Sequence, residues 1–337
     1  MIDAPQFTRR RALALALGCG AVAGFAAPGA RAETFRRVGA AFGTTVSVTL
    51  LARDAAQAEA AFAAAFAQIR HVDKIASLHR PDSEISRLNR DGFFDRPDPA
   101  LTAMLAMAAE MHAASEGAFD ISVQPLWLAF DAAAKAGGWP DAGEIARIGA
   151  HVDAGRIAFD ARQVRFGLPG MGITLNGLAQ GYAADRVALA LAGAGITQAF
   201  IDTGELAARG ARPDGAPWRA ALQHPRDRAA SLGLADVAGC LATSGDYQYF
   251  WSPDFARNHI IDPRSGASPT ELATACVLAK TGLLADALST AVFVTGVARG
   301  RALLERFGAE ALFVDKAGAM TMTPNFPFRR LDTASAN

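Results

Sequence analysis

Between Trp218 and Ala279 the chain carries a succession of short strand-like runs: Trp218–Gln223, Leu241–Ser244, Tyr247–Trp251, Asn258–Asp262 and Cys276–Ala279. Runs of neighbouring strands with helices set before and after them favour an α+β fold with mixed or largely antiparallel sheets over a regular doubly wound one. The rest of the pattern agrees. Thr44–Leu51 alternates with β-branched residues and reads as a strand, and Ala55–Ile75 is an alanine-rich helix with Phe62, Phe66 and Ile69 on one face. Helices are also expected over Leu101–Ser115, Gly181–Ala194 and Ala285–Thr295, and strands around Val164, Ile173 and Ala199–Asp202. Leu78–Asn89 reads as a polar loop and Ala132–Ala150 as a loop-rich insertion.

The N-terminus reads differently. Thr8-Arg9-Arg10-Arg11 precedes an apolar run to Phe25 and then Ala30-Arg31-Ala32, a small-residue cleavage pattern. This is the pattern of a twin-arginine export signal over residues 1–32, so a periplasmic protein is expected. The rest is expected as a domain over 33–330, in one body or two closely packed lobes, with a flexible tail over 331–337. Cleavage and lipidation at Cys19 is an alternative that the Ala-X-Ala site disfavours. Cys240 and Cys276 are too few for a zinc site; buried thiols fit them better than a disulfide. Lys plus Arg equals Asp plus Glu at 33 each, and no basic stripe interleaves with aromatics, so a nucleic-acid partner is not expected.

The chemistry-bearing residues lie mostly in the second half. Asp286 and Thr290 stand four apart on an expected helix, so carboxylate and hydroxyl share a face, and oxygen ligands of that kind suit a hard cation shared with a phosphate. Alone, the pair reads as readily as a solvated helix start. Upstream lie the turn Thr243-Ser244-Gly245-Asp246-Tyr247 and the segment Asn258-His259-Ile260-Ile261-Asp262-Pro263-Arg264-Ser265-Gly266, whose histidine could act as a base, hold a phosphate or be purely structural.

In that order, Ser244-Gly245-Asp246-Tyr247, His259–Gly266 and Ala285-Asp286-Ala287-Leu288-Ser289-Thr290 resemble the ApbE-type FAD:protein FMN transferases. Further segments fit: Phe42-Gly43-Thr44-Thr45, Asp82–Asn89, Gly117–Leu126, Asn176–Asp185 and Asp202-Thr203-Gly204-Glu205. The resemblance covers nearly all of the chain after the export segment and implies a T-fold-like architecture. It implies that Asp286, Thr290 and the Gly177 carbonyl hold Mg²⁺, and that His259 and Asp286 are catalytic. FAD, as substrate, would be lined by Phe42, His79, Ala118, Phe119, Asp120, Thr174, Gln180, Ser244 and Ile261. The implied reaction moves FMN from FAD to a threonine of an acceptor flavoprotein carrying Asp-X-Ser/Thr-Gly-Ala/Ser-Thr, releasing AMP. Phe42 stands where the family has methionine, Thr174 where it often has aspartate, and Gln180 where a charged residue is common. Thr174 and Gln180 leave open an FAD-binding assembly protein without transfer, and hydrolysis of FAD to FMN and AMP, with water as acceptor, would use the same site. The variant Asn176–Tyr182 resembles the NosX branch, which implies an acceptor in the nitrous oxide reductase system.

Overall fold

The opening hairpin sets the geometry of one end of the molecule. Strands β1 (Glu33–Ala41) and β2 (Thr44–Ala52) are joined by the two residues Phe42 and Gly43, both at positive φ, 53° and 74°. Positive φ at both centre positions is what a tight two-residue hairpin turn requires. The chain is described here from a computed structural model over residues 32–331. The proposed export segment, with Arg9-Arg10 and Cys19, lies outside those residues, as does most of the tail.

Helix α1 (Ala55–Ala76) is N-capped by Asp54, which accepts from Gln57 N–H, and buries Ala58, Phe62, Ala65, Ile69 and Val72 at helical spacing. Next come α2 (Glu84–Asp91), β3 (Phe93–Asp95), α3 (Pro99–Ala114), α4 (Gln124–Lys135), α5 (Ala142–Gly149), β4 (Ile157–Phe159) and β5 (Gln163–Phe166). The second half runs α6 (Ala179–Gly193), β6 (Ala199–Asp202), β7 (Leu206–Arg209), β8 (Trp218–Gln223), β9 (Ser231–Val237), β10 (Gly239–Gly245) and β11 (Leu272–Ala279). It closes with α7 (Gly282–Phe307), β12 (Glu310–Asp315), β13 (Met320–Met322) and β14 (Phe328–Arg329).

The strands form an eight-stranded sheet in the order β1-β2-β6-β7-β10-β11-β12-β13 and two three-stranded sheets, β14-β9-β8 and β3-β5-β4. Every pairing between them is antiparallel, which is the α+β arrangement expected from the sequence. On one face of the large sheet, α1 packs on α6 and α6 on α7, while α7 lies along β10 and β11. On the other face a smaller core joins Leu241, Cys276, Leu312 and Val314 to Ala220, Leu222 and Ala235 of the β8–β9 ribbon. Alternation along a strand sends successive side chains to opposite faces. Cys240 therefore belongs to the helix-side core and Cys276 to the other, and both thiols are free. A disulfide between them is excluded. Helix α7 is long and apolar enough to cross a membrane by composition, but its apolar window is mostly buried inside the fold.

Several local expectations are corrected. The polar stretch Leu78–Asn89 contains α2, because Ser83 Oγ accepts from Ser86 N–H to start it and Gly92 in the left-handed region ends it. The supposed insertion Ala132–Ala150 contains the end of α4 and all of α5, started by Asp141 accepting from Glu144 N–H. Ile173 is not in a strand: Asn89 clasps it, its amide donating to the Ile173 carbonyl at 2.8 Å and its oxygen accepting from Ile173 N–H at 2.7 Å. Tyr247–Trp251 and Asn258–Asp262 are not strands either. The two segments meet at the isolated bridge of Phe250 to Asn258 and through His259 N–H donating to the Tyr249 carbonyl, Asp262 bridges separately to Ala267, and Tyr249 and Trp251 pack into a local aromatic cluster with Trp127 and Phe130 instead of extending a ladder. Strand β10 runs through Gly245, so the turn begins at Asp246 rather than at Thr243.

Helices α6 and α7 approach to backbone contact. A Cβ on Gly181 would overlap the carbonyl of Gly282, and one on Gly282 would overlap the carbonyl of Gly181. Only backbone fits between these helices, so any side chain there must push them apart. Gly181→Ala should therefore destabilise the protein by about 3 kcal/mol, at the upper end of ordinary overpacking costs, read as a lowered urea midpoint with little change in slope.

Candidate active site

The packing of α6 on α7 sets where the reactive groups can stand. Asp185 of α6 accepts from Gly282 N–H at 2.7 Å and Leu283 N–H at 2.9 Å, satisfying free donors at the start of α7. In return Asp286, one turn into α7, accepts from Gly181 N–H at 2.9 Å through Oδ2. Thr290 follows one turn later, and Ser244 at the end of β10 reaches both Ser289 Oγ at 2.9 Å and Thr290 Oγ1 at 3.2 Å. Gly177 closes the group: a Cβ there would lie 2.9 Å from Thr290 Oγ1 and 3.3 Å from the Phe119 ring. Thr174 N–H donates to the Ile121 carbonyl at 2.8 Å, which ties the segment carrying Ala118, Phe119 and Asp120 to the one carrying Gly177. The structure thus brings Phe119, Gly177, Ser244 and Thr290 together, with Asp286 one turn before Thr290 on the same helix and Thr174 tied to Ile121 through the backbone.

The electrostatics of this centre are one-sided. Burial is the main force raising the Asp286 carboxyl above the ordinary carboxylate range, assisted by the charge of Asp185 and opposed by the bond from Gly181. Glu205, in the turn after β6, was not among the expected site residues. It is buried, accepts from Thr243 N–H at 3.0 Å, and is pushed well up by burial and by the nearby Asp286 and Asp202 charges. Neither carboxylate is paired with a lysine or arginine among the described residues. Two buried acids, one of them raised further by the charge of the other, call for a compensating positive charge. Among the described residues there is no group of three His, Cys, Asp or Glu side chains suited to a metal. The side-chain donors here are the Asp286 carboxylate and the Thr290 and Ser244 hydroxyls, oxygen donors alone, which fit a hard cation such as magnesium and not zinc.

The other expected site residues fall into two further groups. At the hairpin turn, a Cβ on Gly43 would lie 2.9 Å from His79 Nε2, so Phe42–Gly43 and His79 are neighbours, and Phe42 N–H donates to Asp73 at 2.8 Å. Past the centre, Ala118 and Phe119 are buried in the helix-side core. Asp120 accepts from Ser122 N–H at 2.7 Å and Ala154 N–H at 3.0 Å and meets His112 Nδ1 at 3.3 Å. Burial works to raise its carboxyl, but the bonds from His112, Ser122 and Ala154 prevail and hold it below the usual range. Its oxygens are thus already engaged within the protein. Asp120, His112 and Gly117 line a polar cleft with Pro263 and Arg264, which brings the middle segment to the His259 segment. Ile261 is buried with Leu126 and Phe130. Gln180 lies over the turn at Gly204, and its own carbonyl accepts from Thr203 Oγ1 at 2.8 Å.

His259 is held twice by Tyr249, whose carbonyl accepts from its backbone N–H at 3.0 Å and lies 2.9 Å from its Nδ1. A carbonyl can only accept, so Nδ1 carries the proton and Nε2 keeps its lone pair. Burial lowers the imidazole pKa, against the opposing effects of the Tyr249 carbonyl and the Asp246 carboxylate. Asp246 itself is fully buried and bound by Arg226 at 2.7 and 2.8 Å and by Lys316.

The fold is shared by solved flavin transferases. The solved flavinyl transferase ApbE of Pseudomonas stutzeri, apo form, superposes with a TM-score of 0.76 at 30% identity, covering 87% of this chain and 95% of that one. The flavin transferase ApbE from Vibrio cholerae gives 0.77 at 26% identity, covering 88% of this chain and 100% of its own. In sequence, the chain is 30% identical over 333 residues to the FAD:protein FMN transferase of Klebsiella pneumoniae strain 342, 94% of each. The ApbE family model matches residues 42–313, and the chain belongs to the ApbE family.

The lowered His259 pKa has a definite sign. The unfolded chain takes up a proton near the ordinary value of 6.5 that the folded state resists. This contribution to stability is therefore complete above that pH and is lost as the pH falls from there through the folded value. An NMR titration of the His259 ring should give a midpoint below 6.5 with Nδ1 protonated throughout.

Proposed function

We infer that this protein is an FAD:protein FMN transferase that cleaves the pyrophosphate of FAD, attaches FMN to a threonine of an acceptor flavoprotein and releases AMP. The convergence of Asp286, Thr290, Ser244 and Gly177 on one point, set by the α6–α7 contact, is the observation that carries this reading. In the proposed step, His259 Nε2 takes the proton of the acceptor hydroxyl. That oxygen forms a bond to the FMN phosphorus while the bond from phosphorus to the AMP oxygen breaks, and AMP departs with the electron pair. Asp286, Thr290 and the Gly177 carbonyl would hold Mg²⁺, which when bound neutralises negative charge on the phosphates. The start of α6, just after Asn176-Gly177, adds the partial positive charge of a helix N-terminus to the same place.

Phe42 with His79 at one end, and Phe119 with Thr174 at the other, are the proposed walls of the FAD site. Ala118, Asp120, Gln180 and Ile261 support them from behind or through the backbone, since the Asp120 carboxylate is already bonded and Ile261 is buried. The arginine pair, apolar run and Ala-X-Ala site support export to the periplasm, where we place the reaction. The acceptor would carry the Asp-X-Ser/Thr-Gly-Ala/Ser-Thr motif. The Asn176–Tyr182 variant supports an acceptor of the nitrous oxide reductase system.

The test is covalent flavinylation. With FAD, Mg²⁺ and an acceptor bearing the motif, the protein should produce a fluorescent acceptor band and one equivalent of AMP. Asp286→Ala should lower the rate by at least about 100-fold, as loss of a metal-binding and charge-positioning group does. Tightly held FAD with no AMP would favour the assembly-protein reading, and AMP released without acceptor would favour the pyrophosphatase. An undiminished band from Asp286→Ala would overturn the site.

A further inference from the structure

Phe42 is one of few non-glycine residues at positive φ, 53°, a conformation that costs an L residue free energy unless its surroundings hold it. The holding group is Asp73. Asp73, in the last turn of α1, accepts from Phe42 N–H at 2.8 Å through Oδ1, while its Oδ2 lies 3.8 Å from Nη1 of Arg80. Arg80 follows His79, and His79 Nε2 lies against Gly43, so one carboxylate ties the hairpin turn to the loop that carries His79. The Asp73 side chain is only 18% exposed, so this charged hydrogen bond is poorly shared with water. A phenylalanine ring has only two side-chain torsions, and its direction follows its backbone closely. Where that ring points is then decided by the turn, and the turn is held by Asp73.

We propose that Asp73 is a positioning residue for flavin recognition, one that fixes the Phe42 ring and His79 in the arrangement that meets FAD. This rests on the reading that Phe42 lines the FAD site. Asp73 touches neither the reacting phosphate nor the Asp286 centre, so its loss acts on FAD affinity and leaves the chemical step alone.

The experiment is a double-mutant cycle on the full protein, with FAD affinity measured by calorimetry in the presence of Mg²⁺. Phe42→Ala and Asp73→Ala should each weaken FAD binding about tenfold, and the double variant should also be about tenfold weaker rather than about a hundredfold, because both remove one arrangement. Asp73→Asn, whose amide oxygen still accepts from Phe42 N–H, should stay within about threefold of the parent. At saturating FAD, Asp73→Ala should transfer FMN at the parent rate, which separates positioning from general damage. Thermal melts check that each variant folds, and if Asp73→Ala does not, Asp73→Ser, too short to reach the turn, replaces it in the cycle. Full additivity, parent-like affinity in Asp73→Ala, or a lowered saturated rate would overturn the proposal. If Phe42→Ala binds FAD as the parent does, the placement of Phe42 in the site fails and the proposal falls with it. If Phe42→Ala weakens binding and Asp73→Ala does not, the proposal alone falls.

Discussion

The contact between Gly181 and Gly282 is the constraint on which the rest of the structure depends. It lets two helices approach to backbone distance, and three functional consequences follow from that distance. Asp185 can reach across to the first N–H groups of α7, Asp286 can reach back to Gly181, and the face of α7 bearing Thr290 is pressed toward Ser244 and Gly177. A larger residue at either glycine would separate all of these pairs together. The site is thus a property of a helix–helix interface more than of any one loop, and rigid elements hold a reactive geometry better than loops do.

That interface concentrates negative charge where water is scarce. Asp185, Asp286 and Glu205 all have carboxyls raised by burial, the charge of Asp185 raises Asp286 further, and the charge of Asp286 raises Glu205. Asp185 is compensated by two backbone N–H groups, whereas Asp286 receives one such bond and Glu205 one. The imbalance is greatest beside Thr290 and Gly177. Buried carboxylates with so few partners are costly to the isolated fold, which is the usual relation between stability and a functional site.

The sequence made the motifs legible and left their connections hidden. The spacing of Asp286 and Thr290 was readable because a helix has a fixed period, and β2, α1, β6, β8 and the core of α7 were readable because their apolar residues repeat. Helix α2 was missed since only Ile85 and Leu88 are buried in it, too few for a periodic signal, although Ser83 followed by Glu84 was a usable start signal. Tyr247–Trp251 and Asn258–Asp262 look like strands by composition, and aromatic packing with Trp127 and Phe130 decides otherwise. Glu205 stood in a recognised segment, Asp202-Thr203-Gly204-Glu205, but nothing local to it announces that it will be buried facing Asp286. That relation is created by strand order, which no short window contains.

Cys240 and Cys276 face opposite sides of the large sheet, each packed as a small apolar group. The described fold therefore contains no covalent cross-link, and its native state is the same whether the surrounding thiol pool is reduced or oxidised. Folding and substrate loading in a reducing compartment, followed by work in an oxidising one, would require no rearrangement of this architecture.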